Sequence, residues 1–204
     1  MELSQSFEVA RPIDETWATL TDVERVARCV PGAQLQEVDG RDFRGVIHVK
    51  LGPITTEYAG AATVIEQNNA DHKVIVTSQG NDAEGEGRAE VVITAKLEAV
   101  SDHATQVNLD TDLTITGRVA QLGKGVIPEV SDTLVARFAE NLDELLAAGG
   151  DTTARRRAPR RTVDMPAPEA IDLMDAARNP ILKRLVGLAL GALGLGWWIR
   201  RLRR

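Results

Sequence analysis

VAQLGKGVIPEVSDTLVARFAENL, residues 119–142, decides the fold. Val119, Leu122, Val126, Val130, Leu134, Phe138 and Leu142 recur at steps of three and four, which lays one apolar stripe along a helix. Pro128 interrupts the stripe and is expected to kink the helix or to mark a break between two parts. The pattern ends near Ala148, where Gly149-Gly150 supplies a stop. Upstream of Gly117 the period is two, over residues 33–38, 43–51, 55–66, 73–78, 88–100 and 105–116. The separators are turn formers: Asp39-Gly40, Gly52-Pro53, Asn68-Asn69 and Ser101-Asp102. Residues 3–10 alternate loosely and precede Pro12. Pro12-Ile13-Asp14-Glu15-Thr16-Trp17 has the proline and acids of a helix start, and two short helical stretches are expected to run to about Cys29 before Pro31-Gly32 breaks the chain. Links this short leave no room for crossover helices, so the strands form an antiparallel meander. The expected fold class is α+β: a helix-grip, with a seven-stranded antiparallel sheet wrapped around a long C-terminal helix and short helices between the first two strands.

The chain has 204 residues, one domain's length plus a smaller segment. Its three Trp, one Tyr and three Phe leave the core to Val, Leu, Ile and Ala. Alternation turns Phe43, Gly45, Ile47 and Val49 toward the helix, as it does Leu109, Thr111, Leu113 and Ile115. The run Ala59-Gly60-Ala61-Ala62 adds little volume. Small residues facing a long helix mean either a close approach of backbones or a cavity, and a plain packed core fits the pattern equally well. Cys29 is the single cysteine, which excludes a disulfide framework and a multi-cysteine zinc site. Three histidines leave little for a His-rich metal centre.

Charge divides the chain. Residues 1–150 carry 12 basic and 25 acidic side chains, a net charge of −13, whereas residues 151–204 carry 12 and 5, a net of +7. The overall −6 argues against a general nucleic-acid binder, and the basic tail calls for an acidic partner surface. The first residues have no apolar signal-peptide core, so the body is expected in the cytoplasm with Cys29 reduced. Residues 149–179 are expected to be a flexible basic linker containing Arg155-Arg156-Arg157 and Arg160-Arg161, with a brief acidic helix over 168–178. LVGLALGALGLGWWI, residues 185–199, is then a run of 15 uncharged residues between Lys183-Arg184 and Arg200-Arg201. As a helix it is about 22 Å long, short for a hydrocarbon core of about 30 Å. Residues 180–204 are therefore expected to form a hydrophobic, membrane-associating helix. Lys183, Arg184, Arg200 and Arg201 meet anionic headgroups, Leu185 and Leu188 enter the acyl boundary, and Trp197 and Trp198 sit at the interface. In-plane binding and tail-anchored spanning both remain open, as does helix packing through Gly187-x-x-x-Gly191.

No catalytic constellation emerges. Gly123-Lys124-Gly125 lacks the spacing and the hydroxyl residue of a phosphate loop, and Gly85-Glu86-Gly87 fits a tight turn or bulge better than a dinucleotide turn. His48 falls on the strand face opposite Ile47, His72 and His103 fall at turns, and Asp110 and Asp112 share a polar face. Neither an acid/base pair nor a nucleophile with its base is indicated, so the chain is expected not to be an enzyme. Trp17 and Tyr58 are commoner as core aromatics than as ligand contacts, although each has a polar handle.

Cys29-Val30-Pro31-Gly32-Ala33, Val49-Lys50-Leu51-Gly52-Pro53-Ile54, Tyr58-x-Gly60-x-Ala62, Gly85-x-Gly87-x-Ala89, Thr105-x-Val107 and Gly117-Arg118-Val119-Ala120-Gln121-Leu122-Gly123 stand in that order, closed by Phe138 and Asn141-Leu142. Over residues 2–147 this pattern resembles the carbon monoxide dehydrogenase G-subunit family of the START-like, or SRPBCC, superfamily. The resemblance implies a helix-grip domain over residues 1–148 with a hydrophobic cavity between sheet and helix. It further implies an accessory partner of molybdenum-containing hydroxylases such as CO dehydrogenase, either recruiting them to the membrane or carrying the quinone that takes their electrons. The expectation is a membrane-tethered, non-enzymatic carrier on the cytoplasmic face, with a menaquinone-like isoprenoid quinone or other lipid as cargo and no covalently bound cofactor. The alternative is a structural recruitment factor with no ligand. The residues expected to line the cavity are Trp17, Phe43, Ile47, Tyr58, Leu113, Ile115, Leu122, Val126, Val130 and Leu134.

Overall fold

In a computed structural model, which describes residues 1–51, 54–85, 87–122, 125–149, 161–163 and 171–172, the period-two runs become seven long strands. These are β1 (Glu2–Val9), β2 (Ala33–Asp39), β3 (Asp42–Leu51), β4 (Ile54–Asn68), β5 (Lys73–Asp82), β6 (Arg88–Ser101) and β7 (Ala104–Ile115). Neighbours pair antiparallel in the order β1-β7-β6-β5-β4-β3-β2, so the first two strands lie at opposite edges. Helices α1 (Ile13–Leu20) and α2 (Val23–Cys29) carry the chain between those edges. Asp22 caps α2, its Oδ1 accepting from the N–H groups of Glu24 at 3.1 Å and Arg25 at 3.2 Å, which satisfies two otherwise orphaned donors. Gly32 then turns the chain at φ +75°, where a Cβ would stand 2.3 Å from the His48 carbonyl oxygen.

The long helix α3 (Val126–Ala147) follows a short 3-10 turn over Val119–Leu122. Pro128 is its third residue and does not kink it, because an N–H in the first turn has no intrahelical partner to lose. The break in the apolar stripe falls between Leu122 and Val126, before the proline.

Two stretches expected to belong to the linker are instead edge strands. β8 (Arg161–Thr162) pairs antiparallel with Glu37 and Val38 of β2, and the Val163 N–H donates to the Gln36 carbonyl at 2.8 Å. β9 (Ile171–Asp172) pairs parallel with Val49 and Lys50 of β3, just beyond Ile47, where the pairing with the start of β2 at Ala33 stops. Ile171–Asp172 therefore stands in a strand where the expected acidic helix would run. An unpaired strand edge offers backbone donors and acceptors to any passing chain, and here the chain's own continuation takes them. The remainder of 149–179, like residues 180–204 with Lys183, Arg184, Leu185, Leu188, Trp197, Trp198, Arg200 and Arg201, lies outside the described residues. No helix among the described residues is long and apolar enough to cross a membrane.

Side chains between sheet and helix gather in two groups. The first holds Val9, Trp17, Cys29, Val74, Leu97, Val107, Leu142 and Leu146, with Phe7 and Phe138 edge to face at 5.9 Å. Asn141 ties α3 to α2 here, its Nδ2 donating to the Cys29 carbonyl at 2.9 Å. The second is smaller: Leu51 and Val119 are buried, and Val49, Ile54, Tyr58, Ile115, Leu122, Val130 and Leu134 pack around them.

Candidate functional site

The two groups divide α3 lengthwise. Leu142 and Leu146 are buried in its C-terminal half, whereas Val130 and Leu134 in the N-terminal half are half-buried. The backbone of α3 comes nearest to β1 and α2, so the helix stands off from the middle strands. Across that gap Ala89, Val91 and Ile93 of β6 and Thr111, Leu113 and Ile115 of β7 face the helix and are half-buried. A packed core would bury such a face fully; the half-burial of this one points to an open apolar cleft beside the N-terminal half of α3.

The floor of the cleft is small because of register. Gly45, Gly60, Gly80 and Ala89 stand side by side across β3 to β6, and the next row is Phe43, Ala62, Ser78 and Val91. Gly60 also serves the curvature of the sheet, since a Cβ there would lie 2.1 Å from the Gln79 carbonyl oxygen. The run Ala59-Gly60-Ala61-Ala62 thus has both of its expected meanings, close backbone approach and missing volume.

A polar cluster closes the end of the cleft beside the second apolar group. Asp82 is 5% exposed and stands opposite Tyr58 in the β4–β5 ladder. Its Oδ1 accepts from Thr56 Oγ1 at 2.7 Å and from the Glu84 N–H at 3.1 Å, and Arg118 lies 3.8 Å from its other oxygen. Arg118 also pairs with Glu84. Asp82 is held below the usual carboxylate range, chiefly by the Thr56 hydroxyl, then by the Glu84 amide, with Arg118 adding to both against the cost of burial. Tyr58 is shifted upward, mainly by burial and then by the Asp82 charge, with Arg118 opposing. At neutral pH the cluster therefore presents an ionised carboxylate and a protonated phenol, which suits hydrogen bonding and leaves no group poised to exchange a proton.

Of the residues expected to line a cavity, Tyr58, Ile115, Leu122, Val130 and Leu134 come together in the second apolar group, and Leu113 faces the cleft in the adjoining row. Val126 is half-buried at the start of α3. Trp17 belongs to the first group, with its Nε1 donating to Asn69 Oδ1 at 3.1 Å and its ring edge-on to His72, so its polar handle is engaged inside the core. Phe43 is buried near the β2–β3 hairpin, where it borders a depression of about 200 Å³ with Glu37, Asp39, Asp42, Arg44 and Ala61. Ile47 shares the helix-facing side of β3 but is 40% exposed. A second depression, of about 300 Å³, lies on the opposite face of the sheet among Arg44, Ala61, Gln79, Asn81 and Arg88. The histidines and carboxylates set aside in the sequence stay apart: His48 meets Glu57 at 2.8 Å across β3 and β4, and Asp110 takes the Ser4 hydroxyl at 2.8 Å on an exposed edge. Among the described residues no group of three or more His, Cys, Asp or Glu could hold a metal ion.

A family model described as the G subunit of carbon monoxide dehydrogenase (CoxG) matches residues 6–147. The chain belongs to that family. The same region has the START-like fold. A conserved protein from Geobacillus kaustophilus superposes with a TM-score of 0.67 at 17% identity, over 73% of this chain and 97% of its own. A START superfamily protein from Mycobacterium smegmatis gives 0.52 at 12% identity, over 72% of this chain and 97% of its own. Norcoclaurine synthase from Thalictrum flavum, solved with dopamine and hydroxybenzaldehyde, gives 0.53 at 15% identity, over 74% and 89%. Identities this low establish the fold alone. No curated protein matches the chain in sequence.

In this CoxG-family chain, sequence reasoning missed Thr56 and Asp82 and took Arg118 only as part of a motif. The signal was weak. Gln79-Gly80-Asn81-Asp82 looks like the polar exit of a strand, so the expected strand ended at Ser78, whereas β5 continues to Asp82 because β4 and β6 pair with it on both sides. Asp82 meets Thr56 and Tyr58 only through that pairing.

Proposed function

We propose that this CoxG-family protein is a carrier that binds an isoprenoid quinone or similar lipid in the cleft between the sheet and the N-terminal half of α3. The half-buried apolar face of β6 and β7 beside Val130 and Leu134 carries the reading, because an apolar face left partly in water is stabilised by an apolar occupant. The family relationship supports a molybdenum hydroxylase such as CO dehydrogenase as partner. The basic segment 183–201, with its uncharged core and paired tryptophans, supports a place on the cytoplasmic leaflet, where a lipid-soluble cargo is collected. Carriage is favoured over catalysis although one structural neighbour is a synthase, since the shifts at Asp82 and Tyr58 move both groups away from the near-neutral pKa that suits proton transfer.

Organic extraction of the purified full-length protein followed by mass spectrometry tests this. The expected result is a near-stoichiometric quinone or lipid, and its loss in Leu134→Trp, which fills the cleft at a half-buried position without opening the core around Leu142. An empty extract from freshly prepared wild-type protein, with failure to take up added quinone, would overturn carriage and leave a recruitment factor.

A further inference from the structure

We infer that the end of the sheet carrying Ile47, Val49 and Ile54 is the face of the body that rests on the lipid bilayer, and that the edge strands β8 and β9 set this orientation. The inference rests on the membrane reading above and adds to it which part of the body meets the lipid and what holds it there.

β8 pairs antiparallel with β2, β9 pairs parallel with β3, and β2 and β3 are themselves antiparallel, so both short strands run one way along the edge. They advance from Val38, which stands level with Phe43, to Val49 and Lys50 near the C-terminal end of β3. There Val49, Leu51 and Ile54 pack with Val130 and Leu134 at the cleft. Helix α3 itself ends in the other apolar group, with Leu142 and Leu146 among Val74, Leu97 and Val107. The pairing of β8 and β9 thus brings the chain back from the sealed half of the molecule to the cleft.

Distance then limits the tail. Lys183 comes 11 residues after Asp172, and a chain advances at most about 3.6 Å per residue, so the basic apolar segment begins within about 40 Å of β9. From the level of Lys50, which pairs with Thr55, the sheet runs along β4 to Asn68 and on along β6 to Ser101, about 60 Å at about 3.3 Å per residue. The segment starts within reach of the cleft end and short of the turn after Ser101.

The surface at the cleft end suits lipid. Ile47 is 40% exposed although it shares the helix-facing side of β3 with Val49 and the buried Leu51, and Val49 and Ile54 are half-buried. Asp82 and Glu84 at that end pair with Arg118, which lessens the repulsion that a body of net charge −13 meets at an anionic leaflet. Val100 is more exposed, at 57%, but it stands beside the distant turn, so the tether and not exposure alone chooses the face. A lipid cargo then passes between bilayer and cleft without crossing water.

The test uses full-length protein with one added cysteine, Ile47→Cys or Asp102→Cys, labelled with a nitrobenzoxadiazole dye; Cys29 is 1% exposed and stays unlabelled. On vesicles of phosphatidylcholine and phosphatidylglycerol, we expect the Ile47→Cys label to shift to the blue and to be quenched by nitroxide-labelled lipid, and the Asp102→Cys label to do neither. A second pair of proteins adds Val163→Pro, which deletes the N–H that donates to Gln36, and Ile171→Pro, which puts a residue without an N–H into β9. These are expected to float with the vesicles as before but to lose the difference between the two labels. Flotation with equal responses at both sites, or with the larger response at Asp102→Cys, would overturn the inference and leave the membrane reading standing. An Ile47→Cys response unchanged by the prolines would also overturn it, since the edge strands would then set nothing. Hydrogen exchange of the unsubstituted chain answers the same question without a label: slower exchange on vesicles over residues 47–56 than over 100–104 is expected, and no difference would overturn the proposal. If the full-length protein does not float, the membrane reading itself fails and takes this inference with it.

Discussion

At Cys29 a single thiol records how tightly α2 and α3 close on each other. It is 1% exposed, donates to the Arg25 carbonyl at 3.4 Å, and burial pushes its pKa up to about 11 although Arg25 and Arg28 pull the other way. Because the thiolate is the nucleophile, iodoacetamide at pH 8 is expected to leave folded protein unmodified and to label Cys29 after denaturation, as read by intact mass. An unfolded thiol ionises near its ordinary value of 9.0, the folded one does not, and stability therefore falls as pH rises from about 9 to about 11. Asp82 has the opposite sense: its ionised form is favoured in the fold, so its contribution is present above its ordinary value of 3.8 and fades as pH drops below it. Individual residues were unevenly legible in the sequence. Tyr58 could be singled out as an aromatic with a polar tip, but its place opposite the buried Asp82 is a fact of strand pairing.

At the scale of elements, α3 has one face and two duties. Its apolar stripe runs unbroken from Val130 to Leu142, so nothing in the periodicity separates the sealed half from the open half. The separation comes from what the sheet offers opposite each turn: Val9, Val74, Leu97 and Val107 at one end, and glycine, alanine and serine rows at the other. Leu142→Ala is accordingly expected to cost about 2–5 kcal/mol, the range for a fully buried leucine, while Leu134→Ala costs clearly less. Denaturant unfolding of the two variants checks the contrast, and equal losses would mean that the cleft is packed like the core. Of the two expectations at Pro128, a kink or a break between two parts, the break is the nearer, since α3 begins at Val126 after a separate 3-10 turn and the proline falls harmlessly in its first turn.

For the whole molecule, the segment after α3 returns to the sheet through β8 and β9, and β9 lies on β3 beside Val49, a member of the apolar group at the cleft. Membrane binding is best tested with a chain ending at Asp172, which keeps both edge strands and removes the basic apolar segment. Full-length protein is expected to float with phosphatidylglycerol-containing vesicles and to be weakened by salt, and the shortened chain to stay at the bottom; equal flotation would place the membrane contact elsewhere. By itself the sequence determined the seven long strands, the antiparallel meander, the long closing helix, the charge division and the family, because these depend on local period, turn chemistry and order along the chain. The tertiary structure alone decided that Gly45, Gly60 and Gly80 form one row, that Trp17 belongs to the sealed core, and that Asp82, Thr56, Tyr58 and Arg118 meet at one end. The physical reason is register: which residues stand side by side across strands is set by pairing between segments tens of residues apart, and the cleft is what remains where that pairing sets small side chains against a helix that cannot come closer.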